Sequence, residues 1–167
     1  NETVNFNQPS SSAVAINRVI GGVPSQINGA LNANGQVFVI NKSGITFGAG
    51  AQVNVGALVA TTHDLTEQPD GSFTMQSNEH SIVANHGNIN VSPSGFAVLA
   101  APYVENTGLI KADLGEVHLA SGTASTLDFR GDGKLLFTVG DGVNIDVPDG
   151  KEMGVNHTGT IQSQSGI

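Results

Sequence analysis

Five aspartates near the end of the sequence are the residues best suited to acid-base chemistry. They fall within 22 residues: Asp128, Asp132, Asp141, Asp146 and Asp149. Enzymes that cleave acidic polysaccharides place such carboxylates, with calcium and a basic residue, in one groove. Here most of them adjoin Gly in predicted turns, and the calcium-binding GGxGxDxUx repeat is absent. We therefore expect no catalytic activity, and keep a polysaccharide-binding or polysaccharide-cleaving module as the alternative.

Histidines are the next candidates, as metal ligands. The five are His63, His80, His86, His118 and His157. They form no i, i+4 helical pair, and neither cysteines nor a compact set of carboxylates accompanies them. We therefore predict surface or corner histidines, with no metal and no cofactor.

The composition narrows the function classes further. A net charge of −8 with only six Lys and Arg argues against nucleic acid, whose phosphates are bound by clustered cations. The absence of cysteine excludes disulfides, thiolate metal sites and cysteine nucleophiles. The longest largely apolar run, Gly95 to Val104, is about half the ~20 residues that a membrane helix needs.

The clearest local pattern is the stretch from Gly35 to Gly48. The residues from Val37 to Ile40 are β-branched or aromatic and predict a buried strand, and a second strand begins at Ile45. Between them, Asn41 to Gly44 form a four-residue polar corner. Upstream, Gln26 to Leu31 are predicted as a helical or 3₁₀ turn, and Asn34-Gly35 as a tight turn.

An internal repeat determines the predicted fold. The segment 87–101 aligns with 108–121 at a spacing of about 20 residues, a weaker copy covers 52–60, and another opens at 156–161. The structural corners of the repeat are predicted at Asn85, Gly87, Asn106, Gly108, Asn156 and Gly159. Asparagine side chains in equivalent places are expected to hydrogen-bond from one copy to the next.

Short strands broken by Gly, Asn, Ser and Pro cannot bury their apolar residues alone, but stacked copies can. The spacing leaves no room for crossover helices. The sequence therefore predicts an all-β, single-stranded, right-handed parallel β-helix of about 20 residues per coil, with residues 1–167 as one domain. Two polar segments, about 63–84 and 129–155, are predicted as excursions from the stack, the second with a hairpin of 134–139 and 143–147.

Three segments carry a resemblance to a known family. Residues 4–22 (VNFNQPSSSAVAINRVIGG), 32–62 and 87–110 resemble, in order, the two-partner secretion domain of filamentous-haemagglutinin-type exoproteins and adhesins. The resemblance implies an N-terminal β-helix of a large bacterial exoprotein, exported through the periplasm and recognised by a dedicated outer-membrane β-barrel transporter. It also implies a location outside a Gram-negative cell or on its surface, with a host or neighbouring cell surface as a further partner of the remaining exoprotein.

The family hallmark is an Asn-Pro-Asn-Gly-Ile/Val corner, and Asn41, Lys42, Ser43, Gly44 and Ile45 match its position. Lys42 stands where Pro is usual, and Ser43 where Asn is usual. With Asn34 and Gly35, these residues are the predicted transporter-recognition site. The family pattern normally starts some tens of residues earlier, so we expect an N-terminally truncated domain.

Overall fold

The structure, a computed structural model, describes residues 2–76, 81–129, 135–140 and 154–164. These residues form twenty strands and contain no α-helix. In chain order the strands are β1 (Thr3–Phe6), β2 (Val14–Arg18), β3 (Ser25–Ile27), β4 (Ala30–Ala33), β5 (Gln36–Ile40), β6 (Ile45–Phe47), β7 (Gln52–Val55), β8 (Ala57–Thr61), β9 (Asp64–Glu67), β10 (Phe73–Gln76), β11 (Ile82–Asn85), β12 (Asn88–Val91), β13 (Phe96–Ala101), β14 (Tyr103–Asn106), β15 (Leu109–Ala112), β16 (Glu116–Ser121), β17 (Ala124–Phe129), β18 (Leu135–Val139), β19 (Gly154–His157) and β20 (Thr160–Gln162).

Sixteen of these strands form three parallel sheets. Sheet A has the order β1-β4-β7-β12-β15-β20, sheet B has β2-β5-β8-β13-β16, and sheet C has β3-β6-β11-β14-β19. The chain visits A, B and C in turn and then returns beside its previous strand in A. This arrangement is a parallel β-helix, and the predicted fold class is confirmed.

Strand register gives the length of an uninterrupted coil. Paired residues are 20 residues apart for Ser25 and Ile45, 21 for Gln36 and Ala57, and 22 for Ala30 and Gln52. The first coil is longer, because Thr3 pairs with Ala30, 27 residues on.

The helical turn predicted over Gln26 to Leu31 is wrong. This segment contains the end of β3 and the start of β4. The Ser25 N–H donates to Gly44 O in the next coil, and the Ala30 N–H donates to Glu2 O in the previous one. The backbone N–H groups here therefore bond to neighbouring coils instead of to carbonyl groups within a local turn.

The excursions form one antiparallel sheet, with the order β18-β17-β10-β9. Strands β9 and β10 lie in the first predicted excursion. The second excursion begins earlier than the predicted residue 129, because β17 (Ala124–Phe129) already pairs with β10, and β18 follows in it. Of the hairpin predicted from 134–139 and 143–147, the second strand lies outside the described residues. Strand β18 pairs with β17, in a register that places Ser125 beside Val139.

The three middle strands of sheet B, β5, β8 and β13, are buried on both faces, which explains their continuous apolar runs. In β5, Val37 and Val39 belong to the core inside the helix, whereas Phe38 and Ile40 belong to a second core beneath the antiparallel sheet. The Phe38 ring meets Phe73 of β10 edge to face, with the ring centroids 5.9 Å apart. The excursion thus covers apolar surface that the stack alone would expose.

Glycines stack at the corners because neighbouring coils approach closely there. The Gly56 N–H donates to Gly35 O at 2.7 Å, and a Cβ built on Gly56 would lie 2.7 Å from that same oxygen. Gly95 and Gly115 continue this column, and each would direct a Cβ at the carbonyl oxygen of the glycine before it. The repeat therefore requires glycine at these corners for space.

We predict that Gly56→Ala lowers the free energy of unfolding by about 1–3 kcal/mol, because the new methyl group meets backbone that cannot move independently. Gly21→Ala is the matched control, since a Cβ there meets nothing within 4 Å. Denaturant unfolding of both variants measures the difference. Equal stability of the two would contradict the close-approach explanation.

Candidate functional site

The corner from Asn41 to Ile45 joins β5 of sheet B to β6 of sheet C. The Gly44 N–H donates to Asn41 O at 3.1 Å, and the Ser43 N–H donates to Asn41 Oδ1 at 2.9 Å. Gly44 has a φ of +123°, a conformation that favours glycine. Ile45 begins β6 with its side chain fully buried in the inner core. The corner is therefore a tight turn anchored at both ends.

The Asn41 side chain joins this turn to the first coil. Its Nδ2 donates to Val23 O at 3.0 Å and to Ser25 Oγ at 2.8 Å, and the residue is 0% exposed. Its backbone N–H donates to Thr61 O in the third coil. Asn41 thus bonds three successive coils, and its amide faces the protein rather than solvent.

Lys42 is the exposed member of the corner. Its Nζ lies 3.0 Å from Asp64 Oδ2, and Arg18 Nη1 bonds the other carboxylate oxygen. Arg18 Nη2 also donates to Leu65 O at 2.8 Å. These contacts hold the pKa of Asp64 below its ordinary value, and the hydrogen bond from Lys42 is the largest cause. The corner is in this way tied to the start of the excursion.

A cleft of about 270 Å³ opens beside Lys42. It is lined by Arg18, Val19, Ile20, Gly21, Ile40, Lys42 and Asp64. Ile20 at its edge is 95% exposed, and Val23, whose carbonyl bonds Asn41, is 73% exposed. The cleft therefore combines two cations and one carboxylate with exposed apolar surface.

The structure separates Asn34 and Gly35 from the rest of the predicted site. They precede β5, whereas Asn41 to Ile45 follow it. The whole length of this five-residue strand, at about 3.3 Å per residue, therefore lies between the two groups. Asn34 exchanges hydrogen bonds with the backbone of Gln8, and the Gly35 N–H donates to Gln8 Oε1. These two residues hold the first coil against the second at a different corner.

Among the predicted repeat corners, Asn85 and Asn106 lie side by side and fully buried, and Asn85 Nδ2 donates to Asn106 Oδ1 at 2.8 Å. The next position holds His157 and not Asn156: Asn106 pairs with His157 in the register, and Asn106 Nδ2 contacts His157 Nδ1 at 3.0 Å. Asn156 pairs with Glu105 and is exposed. The prediction therefore placed the asparagine corner of this copy one residue early, whereas its corner glycine, Gly159, is in the predicted place.

The predicted corner glycines Gly87, Gly108 and Gly159 form a second column of close approaches. Leu109 N donates to Gly87 O at 2.9 Å, and Thr160 N donates to Gly108 O at 2.8 Å. A Cβ on Gly108 would lie 2.8 Å from Gly87 N, and one on Gly159 would lie 2.9 Å from Gly108 N. These glycines therefore fix the spacing of the coils.

An outer row of asparagines was missed in the sequence. Asn32 donates to Asn5, Asn54 to Asn32, and Asn90 to Asn54, at 2.9 to 3.1 Å, along the outer face of sheet A. The available signal was an asparagine flanked by apolar residues in each of the first four coils, as in Val53-Asn54-Val55. No comparable signal in the sequence marked the cleft residues Arg18, Ile20 and Asp64.

The candidates for catalysis and metal binding do not assemble in the described residues. Asp128 lies on β17, while Asp132, Asp141, Asp146, Asp149 and His80 lie outside the part that the structure describes. Within the described ranges, no group of three or more acidic or histidine side chains is arranged to hold a metal ion. Nor does any helix among these residues have the length and apolar character to cross a membrane.

One histidine has a structural position at the root of both excursions. His63 is 1% exposed and follows β8, and its Nε2 lies 2.9 Å from Gly122 O, just before β17. Burial lowers the pKa of His63, with the hydrogen bond to Gly122 acting in the opposite direction. His63 therefore joins the two departure points, and burial disfavours its charged form.

Three parallel sheets wound from one chain define the class of this protein, a single-stranded parallel β-helix. Within that class, residues 1–166 match the family model described as the TPS secretion domain. The chain therefore belongs to the two-partner secretion domain family, and the resemblance seen in the sequence is confirmed. Domains of this family belong to secreted bacterial exoproteins.

Two curated relatives and one solved structure show the extent of the similarity. The chain is 40% identical over 132 residues to a heme/hemopexin-binding protein of Haemophilus influenzae strain Rd, covering 73% of this chain and 15% of that protein. Another heme/hemopexin-binding protein of Haemophilus influenzae is 49% identical over 73 residues, 44% of this chain and 8% of that protein. The crystal structure of the HMW1 secretion domain from Haemophilus influenzae has a TM-score of 0.82 and 28% identity, covering 98% of this chain and 45% of that one. The chain thus spans a small part of the curated relatives.

We predict that Asn41→Ala lowers the free energy of unfolding by about 1–3 kcal/mol, because it leaves Val23 O, Ser25 Oγ and the Ser43 N–H without their partner. Asn54→Ala, at an exposed position of the outer row, is the matched control and is expected to cost less than about 1 kcal/mol. Thermal and denaturant unfolding measure both. A variant at position 41 as stable as the control would show that the buried amide does not hold the coils.

The lowered pKa of His63 predicts acid sensitivity. An unfolded histidine binds protons near its ordinary pKa of about 6.5, whereas the folded one does so only at lower pH, so stability falls as the pH drops below about 6.5. The loss is at most about 1.4 kcal/mol per pH unit. His63→Gln is expected to reduce this slope between pH 7.5 and 5.5 relative to the unmodified domain. An unchanged slope in His63→Gln would contradict the assignment.

Proposed function

We propose that this domain targets a large exoprotein to its dedicated outer-membrane β-barrel transporter, reaching it from the periplasm, and that it starts β-helix folding during export. Membership in the secretion-domain family supports the first part. The observation that carries the proposal is the corner: Asn41 is buried and fixes the turn, while Lys42 and the cleft beside it remain open to a partner.

The second part rests on how the coils contact each other. Backbone hydrogen bonds run from each coil to its neighbours, as from Gly56 to Gly35 and from Asn41 to Thr61. Contacts of this kind let a chain add coils one after another onto a formed one, because the strands of each new coil pair with those of its predecessor. A domain bound at the transporter would then serve as the template for later coils.

This role requires no catalysis by the domain. The alternative, a module that cleaves polysaccharide, needs a pair of carboxylates flanking the substrate. Among the residues lining the cleft there is one carboxylate, Asp64, and both neighbouring cations bond it. This arrangement suits recognition better than hydrolysis.

In this proposal, the parts of the exoprotein outside this domain bind the host or neighbouring cell surface. The two curated relatives are named for binding heme and hemopexin, and this chain matches only 15% and 8% of their lengths. We therefore assign binding of such ligands, if this exoprotein has it, to segments other than the secretion domain.

The test is a secretion assay with the full exoprotein, produced with and without its outer-membrane transporter. Release into the medium is expected only with the transporter. Ile20→Ser is expected to reduce release several-fold, because it removes the apolar group that is 95% exposed beside the cleft without disturbing the core.

Leu114→Ser is the matched control, since Leu114 is also an exposed apolar residue, at 56%, and does not line the cleft. Its release is expected to equal that of the unmodified exoprotein. Circular dichroism and thermal unfolding of the isolated variants show that both fold. Release that does not depend on the transporter, or equal release of the two variants, would refute the proposal.

A further inference from the structure

The positive charge of this chain is scarce. It has six Lys and Arg against fourteen Asp and Glu, for a net charge of −8. Two of the six cations, Arg18 and Lys42, line the same cleft and bond the same carboxylate, Asp64. The cleft therefore carries a local charge of about +1 on a molecule that is otherwise acidic.

Both cations keep donors for another partner. A guanidinium has five N–H groups, and Arg18 uses its side chain to bond Asp64 and Leu65 O. An ammonium has three, and Lys42 directs Nζ at Asp64 Oδ2. Asp64 orients the two cations in one place, since it bonds each through a different oxygen. A second carboxylate arriving at the open side of the cleft would find donors from both.

The surroundings of these charges are apolar. Val19, Ile20 and Ile40 line the cleft, and Ile20 is almost completely exposed. Val23, which follows on the same segment, is 73% exposed. Exposed apolar groups next to a paired charge suit a partner that brings an apolar side chain together with its carboxylate.

We propose that this cleft binds an acidic segment of the transporter's periplasmic part, with a carboxylate on Lys42 and Arg18 and an adjacent apolar side chain on Ile20. The inference rests on the proposed function and specifies the chemistry of its partner. It makes Lys42, which replaces the family's usual proline, a residue that determines which transporter this domain fits.

The turn geometry offers a decisive substitution. Lys42 is the second residue of a turn in which Gly44 donates to Asn41 O and Ser43 donates to Asn41 Oδ1. Proline is favoured at this position because its ring presets the required φ. Lys42→Pro therefore introduces the usual family residue and keeps the turn while it removes the charge. A partner that reads only the turn shape would accept this variant, and one that reads the charge would not.

The test measures binding of the purified domain to the purified periplasmic part of its cognate transporter, by calorimetry at 50 and 300 mM NaCl. Binding of the unmodified domain is expected to weaken at the higher salt, because the contact is between exposed charges. Lys42→Pro and Lys42→Gln are both expected to bind about tenfold more weakly at low salt and to lose most of the salt dependence. Lys111→Gln is the control, since Lys111 of β15 forms a half-exposed pair with Asp113 that lies away from the cleft.

The outcomes separate the two claims. If the unmodified domain binds, and Lys42→Pro and Lys42→Gln bind as tightly with the same salt dependence, the proposal of a charged recognition cleft is overturned. The proposed function is not affected by that result. Weakening by Lys111→Gln equal to that by Lys42→Gln would also overturn the charged recognition cleft, because charge in general would then matter. Absence of binding by the unmodified domain at both salt concentrations would overturn the proposed function itself. If Lys42→Pro fails to fold, Lys42→Gln alone decides.

Discussion

The close approach of successive coils at their corners is the constraint on which this structure depends. Backbone passes over backbone where Gly56 lies on Gly35, and a single Cβ would collide with the carbonyl below it. Once the corners are in contact, the strands between them pair in register. The apolar residues of each coil then fall onto those of the next and form one continuous inner core.

The corner from Asn41 to Ile45 depends on the same stacking. Asn41 bonds the coil before it through Val23 and Ser25 and the coil after it through Thr61. The hallmark asparagine therefore acts through the fold, by holding Lys42 outward and by keeping the segment from Val19 to Val23 against the turn. The excursion contributes Asp64, so the cleft needs parts of three coils. A partner that binds this cleft can recognise the stacked coils and not an unfolded chain.

Much of this was predictable from the sequence, because the fold repeats its pattern. Glycines spaced about one coil apart and apolar runs such as Val37 to Ile40 indicated stacked strands. In β5 such a run is apolar on both faces, because one face packs in the inner core and the excursion covers the other. The frame at Asn156 was misplaced because an excursion separates β16 from β19, and a histidine takes the asparagine position there. The segment from Gln26 to Leu31 was predicted as a helical turn because a local sequence pattern does not reveal backbone hydrogen bonds to neighbouring coils. The pairing of Arg18 with Asp64 links residues 46 positions apart and had no signal at all.

The central claim is that the stacked corner and its cleft form the surface that the transporter recognises. The most direct test is to measure amide hydrogen exchange of the domain, first alone and then bound to the periplasmic part of its transporter. The account predicts that binding slows amide exchange in segments 16–23, 41–45 and 64–65, which line or adjoin the cleft. It also predicts no change along the outer asparagine row of sheet A. Protection confined to that row, or to Asn34 and Gly35, with none at 41–45, would contradict it.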